Sequence, residues 1–296
     1  MDALEQGLEL RRQGKHAEAL PFFQDAVQNE PQSYSAWTNL GEALNLNAKY
    51  SDALAAADHA LQINAQYAPA WSVRAHALYY RNQEDEALEA CNTALNSDPD
   101  LPDALTTKGM ILCSQGEDQA ALALFNRALA LRPNFPDALM GVCMLFLMRE
   151  QSSDALSVAN RLVRLYPNDI RAWRSKGMAH DLLREYSEAE QVLREALRID
   201  PNDVRTWTLL GTVRANAQRF NEALEAINHA LAIDPNDTEA QNLKDQISRV
   251  KRGRAISTVG GVAGEVGGTV GVGILVGFLA FLKAIWDAFL DVLRGG

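Results

Sequence analysis

A motif of small residues recurs with a period of 34 along residues 1–235. Its first member is alanine in all seven copies: Ala19, Ala53, Ala87, Ala121, Ala155, Ala189 and Ala223. Seven positions later stands alanine again, except at Leu162, and five positions beyond that stands proline, except at Ala65. A period of about 20–50 residues is typical of proteins built from stacked supersecondary units. We therefore expect a linear array of similar units that share a continuous core.

Each unit also combines a large residue with a small one four positions later. From the second unit on, the large residues are Trp37, Trp71, Leu105, Leu139, Trp173 and Trp207, and the small ones are Gly41, Ala75, Gly109, Cys143, Gly177 and Gly211. Small residues let two helices approach closely, and the large residue fills the space between neighbouring hairpins. The proline ends a helix, and Asn or Asp next to it favours a turn. The pattern therefore predicts a helix–turn–helix in each unit.

These residues resemble the tetratricopeptide repeat family, whose pattern of Trp, Leu-Gly, aromatic, Ala, aromatic, Ala and Pro is matched over residues 1–235 in seven copies. The resemblance implies an all-α fold, a right-handed α-solenoid of seven helix–turn–helix repeats with a concave groove. The chain departs from the pattern at Leu162, and at His180 and Arg214, where an aromatic residue or leucine is usual. Residues 236–254 are predicted to form a capping helix and basic linker, and residues 255–296 a Gly-rich hydrophobic tail.

In this family the first helix of each repeat lines the concave face, so the resemblance assigns candidate residues for binding a peptide. The candidates are His76, Tyr79, Tyr80, Met110, Met140, Met144, Leu147, Met148, Arg171, Arg174, Met178 and Arg205. The set includes all five methionines that follow Met1, and methionine is common at surfaces that hold apolar helices. We interpret the methionines as an apolar groove; the alternative is that they pack between adjacent first helices. The arginines either meet an acidic part of a ligand or balance nearby acids.

Composition argues against several other classes of function. The net charge of −10 disfavours nucleic acid as the main partner, because phosphate binding requires a cationic surface. The five histidines lack the spacing of metal ligands, and no glycine-rich loop is followed by the Lys-Ser/Thr of a phosphate-binding loop. We therefore expect no metal, no cofactor and no enzymatic activity. The three cysteines, Cys91, Cys113 and Cys143, are too few for a disulfide framework and are expected to be small apolar residues.

Residues 255–296 differ in composition from the repeats. Residues 266–282 carry no charge, and the basic residues Arg249, Lys251, Arg252 and Arg254 precede this stretch. Its length suits a membrane span, which needs about 20 apolar residues, and the preceding basic residues would keep the repeats in the cytoplasm. Glycines at small-xxx-small spacing favour close packing of membrane helices, and a tryptophan suits the far interface. The candidate membrane residues are Gly260, Gly264, Gly268, Gly271, Gly277 and Trp286.

Together these features predict a protein–protein interaction scaffold that binds a peptide or an apolar helix and is tethered to a membrane. Two alternatives remain open: a membrane-active effector whose tail oligomerises in the bilayer, and a soluble, self-assembling repeat protein whose tail docks in a groove. A predicted helix over residues 274–294 carries one narrow polar stripe, formed by Lys283, Asp287, Asp291 and Arg294. Such a stripe suits a membrane interface, an assembly of helices or docking on protein, so it leaves a homo-oligomer possible.

Overall fold

The computed structural model describes residues 2–12 and 15–259. Within them the chain forms fifteen α-helices and no β-strand. In chain order these are α1 Ala3–Arg12, α2 His16–Asn29, α3 Tyr34–Leu46, α4 Tyr50–Ile63, α5 Ala68–Tyr80, α6 Glu84–Ser97, α7 Pro102–Ser114, α8 Asp118–Leu131, α9 Pro136–Met148, α10 Ser152–Leu165, α11 Ile170–Leu182, α12 Tyr186–Ile199, α13 Val204–Asn216, α14 Phe220–Ile233 and α15 Thr238–Val259. Helices α1 to α14 are seven consecutive pairs, one for each copy of the sequence motif. The predicted all-α solenoid of helix–turn–helix repeats is thereby confirmed.

The described chain divides into two compact units, with the boundary inside α9 between Gly141 and Val142. In the first unit each helix from α1 to α8 contacts the next, and α3 and α7 also both contact α5. In the second unit the same holds from α10 to α15, with α11 and α15 both contacting α13. The odd-numbered helices of each unit therefore form a layer of their own, which the even-numbered helices flank.

The tryptophans of the motif connect each first helix to the turn before it. The indole Nε1–H of Trp37 donates to the carbonyl of Pro31 at 2.9 Å, and Trp207 donates in the same way to Pro201 at 2.8 Å. Trp71 and Trp173 donate in the same way to the carbonyls of Ala65 and Pro167, each six residues upstream. A half-buried indole that fills space between hairpins thus also satisfies a turn carbonyl, which gives a physical reason for the fixed distance between tryptophan and proline.

Helix α15 packs against the last helix pair of the second unit. Its residues Ala240 and Ile247 are buried in one hydrophobic cluster with Phe220, Ile227 and Ala230 of α14. The helix begins close to the predicted start of the cap but continues to Val259, five residues beyond the predicted end of the cap and linker at residue 254. A terminal helix with one apolar face is what the last hairpin of a repeat array requires, because it has no further repeat to cover it.

Candidate functional site

All the candidate residues of the repeats lie on odd-numbered helices, as predicted. In the first unit His76, Tyr79 and Tyr80 lie on α5, Met110 on α7 and Met140 on α9. In the second unit Met144, Leu147 and Met148 lie on α9, Arg171, Arg174 and Met178 on α11, and Arg205 on α13. Their exposure and their partners differ from one group to the next.

The aromatic candidates of α5 form a cluster around Tyr80. The ring of Tyr50, from α4, stacks on Tyr80 at 4.9 Å between centroids, and the rings of His76 and Tyr79 meet it edge-on at 4.5 and 5.2 Å. Tyr79 and Tyr80 are buried, and His76 is half-buried. Edge-on and stacked aromatic pairs stabilise packing beyond the area that they bury. The cluster therefore contributes to the packing of α4 against α5.

The methionines are mostly enclosed. Met110, Met140, Met144 and Met178 have only 3–4% of their surface exposed, whereas Met148 is half-buried. Leu147 is completely buried. Enclosure of this kind matches the alternative interpretation, in which these side chains pack inside the protein. Their assignment to ligand binding stays a prediction.

Each candidate arginine faces carboxylates. The guanidinium of Arg171 donates to Asp169 at 2.8 Å, and Arg174 on α11 donates to Asp203 at 3.2 Å. Burial alone would raise the pKa of Asp169, but the charge and hydrogen bonds of Arg171 outweigh burial and lower it. Asp203 also caps α13 by accepting the Thr206 amide at 2.9 Å. These arginines therefore balance acids of their own chain. The pair of Arg171 stays at the start of α11, whereas the pair of Arg174 with Asp203 connects α11 to α13.

One acidic residue that sequence reasoning had not singled out extends this charged group. Burial, together with the nearby charge of Asp237, raises the pKa of Glu239 on α15 to about 7. Burial and then the neighbouring Arg174 lower the pKa of Arg205 to about 10, with Glu239 acting in the opposite direction. The sequence offers one indication of Glu239: it lies one repeat period, 34 residues, after the candidate residue Arg205. Arg174, Arg205 and Glu239 form what we call the charged row of α11, α13 and α15.

Asp181 lies on α11 in the same unit, one turn after Met178. It is 4% exposed, and both of its carboxylate oxygens accept hydrogen bonds from the Asn216 amide, at 3.1 and 2.9 Å. Burial raises the pKa of Asp181 to about 6, although the amide of Asn216 opposes the shift. Since Asn216 lies at the end of α13, this pair is a second polar connection between α11 and α13.

Two other classes of site can be addressed for residues 2–12 and 15–259. No three His, Cys, Asp or Glu residues there are arranged to hold a metal ion. None of the helices in that part of the chain combines the length and the apolar character that crossing a membrane requires. The predicted membrane residues, Gly260, Gly264, Gly268, Gly271, Gly277 and Trp286, lie outside the described residues. The three cysteines are buried and form no disulfide with one another, and burial raises the pKa of Cys91 and Cys143 to about 12.

Stacked helix pairs of this kind define an α-helical repeat protein. Family models described as tetratricopeptide repeat match residues 4–69, 73–136 and 145–204, and a further one matches residues 183–247. The chain therefore belongs to the tetratricopeptide repeat family. It is accordingly a protein–protein interaction scaffold, and proteins of this family are generally scaffolds and not enzymes.

Several solved structures share the fold. The crystal structure of the APC/C hetero-tetramer Cut9-Hcn1 is similar with a TM-score of 0.70 and 20% identity; the alignment covers 81% of this chain and 48% of that one. A tetratricopeptide repeat protein from Parabacteroides merdae gives a TM-score of 0.57 at 18% identity, covering 83% and 97% of the two chains. Pseudomonas aeruginosa pilF gives 0.57 at 19% identity, covering 72% and 97%.

At these identities the similarity concerns the fold alone. The chain spans about half the length of the Cut9-Hcn1 chain that it matches. A comparison with curated proteins found no match.

Proposed function

We propose that this scaffold binds a peptide or helix of a partner protein along the layer of odd-numbered helices, and that residues 260–296 tether it to a membrane with the repeats on the cytoplasmic side. The charged row is the observation that supports the binding part of this proposal. Partly buried ionisable groups with shifted pKa values cluster at functional sites more often than elsewhere. Arg205 and Glu239 are two such groups, and Arg174 lies beside them on α11, so a ligand that crosses α11, α13 and α15 meets both donors and acceptors.

The hydrogen-bonding capacity of the row suits a peptide. Arg174 donates to Asp203 through Nη1, which leaves the N–H groups of Nε and Nη2 for a ligand carbonyl. The row contains both signs of charge, and acids of the same chain already balance the arginines. A peptide backbone, which offers carbonyl acceptors and N–H donors without net charge, is therefore a better fit than a run of acidic residues.

Photo-crosslinking tests the binding face. A benzophenone amino acid at Arg171, a half-buried position of α11, is expected to capture the partner in cells, since it adjoins the charged row. The same group at Gln191, an exposed position of α12, is the matched control on an even-numbered helix. Equal capture at the two positions would show that binding does not use the odd-numbered layer.

The charged row has its own test. Arg174→Ala and Arg205→Ala are each expected to weaken capture of the partner by about 10- to 100-fold, because each removes hydrogen bonds from a charged donor, worth roughly 1.5–3 kcal/mol. Arg198→Ala, on the exposed surface of α12, is expected to leave capture unchanged. Circular dichroism of each variant shows whether the fold is retained, and unchanged capture by folded variants would reject the row as the binding site.

The tether rests on the sequence of residues 260–296 and is tested by flotation. The full chain is expected to rise with lipid vesicles in a density gradient, and a chain ending at Val259, which keeps α15 whole, is expected to stay at the bottom. Recovery of the full chain in the aqueous fractions without detergent would contradict the tether and favour the soluble, self-assembling alternative. Release of a trapped dye from the vesicles would favour the membrane-active effector.

A further inference from the structure

The last turns of α15 concentrate positive charge at one place. Arg249, Lys251 and Arg252 are exposed, and Arg254 follows them in the sequence. No acidic residue occurs between positions 246 and 264. The buried face of the helix, with Ala240 and Ile247, packs against α14, so the helix presents its basic residues away from the core.

Within residues 2–12 and 15–259, the three cations have no carboxylate partners. Lys251 donates to the side-chain oxygen of Asn221 at 2.6 Å, and Arg252 donates from Nε to the carbonyl of Ser248 at 3.3 Å. Both acceptors are neutral, and among the described residues no carboxylate forms an ion pair with Arg249, Lys251 or Arg252. The candidate arginines of the repeats, by contrast, face acids. In a chain with a net charge of −10, an unneutralised basic segment requires a separate explanation.

We propose that the end of α15, through Arg249, Lys251 and Arg252, lies against the anionic headgroups of a lipid surface. The inference rests on the proposed tether, and it specifies the lipid class that the tether meets. Charge complementarity and position carry it: the basic segment immediately precedes the apolar stretch of residues 255–282, which holds Glu265 as its one charged residue. A nucleic acid would satisfy the charge but not the adjoining apolar sequence.

The size of the effect follows from membrane electrostatics. Each Lys or Arg close to an anionic surface strengthens binding by roughly fivefold. Three such residues acting together predict a preference for anionic over neutral vesicles of about 100-fold. The preference should shrink with added salt, because the Debye length falls from about 30 Å at 0.01 M to about 10 Å at 0.1 M.

Flotation of the full chain with two kinds of vesicle tests the proposal. One kind is phosphatidylcholine alone, and the other mixes phosphatidylcholine with phosphatidylglycerol. The variant Arg249→Gln, Lys251→Gln, Arg252→Gln is expected to lose the preference for the anionic vesicles and to keep its binding to the neutral ones. The variant Arg127→Gln, Arg164→Gln, Arg198→Gln removes the same charge from exposed positions on even-numbered helices and is expected to keep the preference.

The outcomes separate this inference from the tether. Equal binding of the unsubstituted chain to both vesicles would overturn the lipid preference while the tether stands. An anionic preference that survives the α15 variant, or that the control variant also loses, would overturn the role of α15. Absence of the chain from both vesicle fractions would overturn the tether and the inference together. Binding to duplex DNA in place of anionic vesicles would overturn the choice of lipid.

Discussion

Phe125 shows how a single residue fixes the spacing of helices. Its ring is completely buried between Gly109 of α7 and Gly141 of α9. A Cβ placed on Gly109 would lie 2.7 Å from the ring, and one on Gly141 would lie 2.5 Å from it. Both separations are shorter than carbon atoms allow, so these glycines are required because there is no room for a side chain.

Gly109→Ala and Gly141→Ala are therefore each expected to lower the free energy of unfolding by about 1–3 kcal/mol, the usual cost of overpacking. This sign is opposite to that of helix propensity, which favours alanine by about 1 kcal/mol. Urea unfolding of each variant measures the net change in the free energy of unfolding. With Phe125→Leu in the background the cost of each alanine should fall, because the smaller side chain leaves room. A stabilising alanine in the native background would contradict the steric account.

The turn between the two helices of a pair requires a residue with positive φ, and the sequence shows no common residue type at that position. Ala48, Asn82, Gly116, Glu150, Arg184 and Gln218 have positive φ and recur every 34 residues. Alanine, asparagine, glycine, glutamate, arginine and glutamine share no side-chain property, so pattern analysis could find the turn but not the conformation. At the position of Gly109 a small residue was predictable, because four of the repeats after the first repeat carry glycine there.

Exchanging residues at these turns should change stability through the backbone alone. Arg184 has a φ of 61°, and Arg184→Gly is expected to raise the free energy of unfolding by about 0.5–1 kcal/mol, since glycine adopts this region without strain. Gly116→Ala is the reverse case: a Cβ there meets nothing within 4 Å, so its expected loss of about 1 kcal/mol measures strain without a clash. Thermal melting compares each variant with the native chain. A shift of the melting temperature in the same direction for both variants would contradict this explanation.

At the scale of elements, Glu190 joins three parts of the second unit. From α12 it accepts hydrogen bonds from Arg194 on the same helix, from Arg214 on α13 at 2.7 Å, and from Arg219, which precedes α14. Burial alone would raise the pKa of Glu190, but Arg214 and Arg219 outweigh burial and lower it to about 2. Arg214 departs from the usual aromatic residue or leucine of the family, and this network gives the departure a structural role.

Because the pKa of Glu190 is lowered in the folded state, its contribution to stability is complete above about pH 4.5 and is lost as the pH falls towards about 2. Glu190→Gln is expected to reduce the free energy of unfolding at pH 7 by about 1–2 kcal/mol, a value discounted for the exposed partner Arg194. The variant should also lose part of the acid sensitivity of the native chain. Glu195→Gln, which breaks an exposed pair with Arg198, is the control and should cost less than about 0.5 kcal/mol.

The candidate site was predictable only at the level of elements. The period placed every candidate on a first helix, and the structure agrees. Exposure depends on contacts between consecutive helices, so the sequence could not show that Met144 and Met178 are enclosed while Met148 is half-buried. Charge pairing has the same limit: Arg174 and Asp203 lie 29 residues apart, and only the stacking of α11 beside α13 brings them together.

For the molecule as a whole, stability is distributed along the chain, because each repeat contacts only its neighbours. Helix α15 covers Phe220 and Ile227 of α14. A chain that ends at Val259 keeps every residue of α15 and α14 that forms this cluster. Loss of the apolar face of α15, in contrast, exposes the last hairpin to water.

Ile247 is 3% exposed at the centre of that face, and Ile247→Ala should cost about 2–4 kcal/mol, as expected for truncation of a buried isoleucine. In a linear array the cost should be local, so amide hydrogen exchange is expected to accelerate in α13 to α15 and to change little in α3 to α6. Asp245→Ala, an exposed substitution two residues away, is the control and should leave exchange unchanged. Uniform acceleration throughout the chain would instead mean that all the repeats unfold as one cooperative unit.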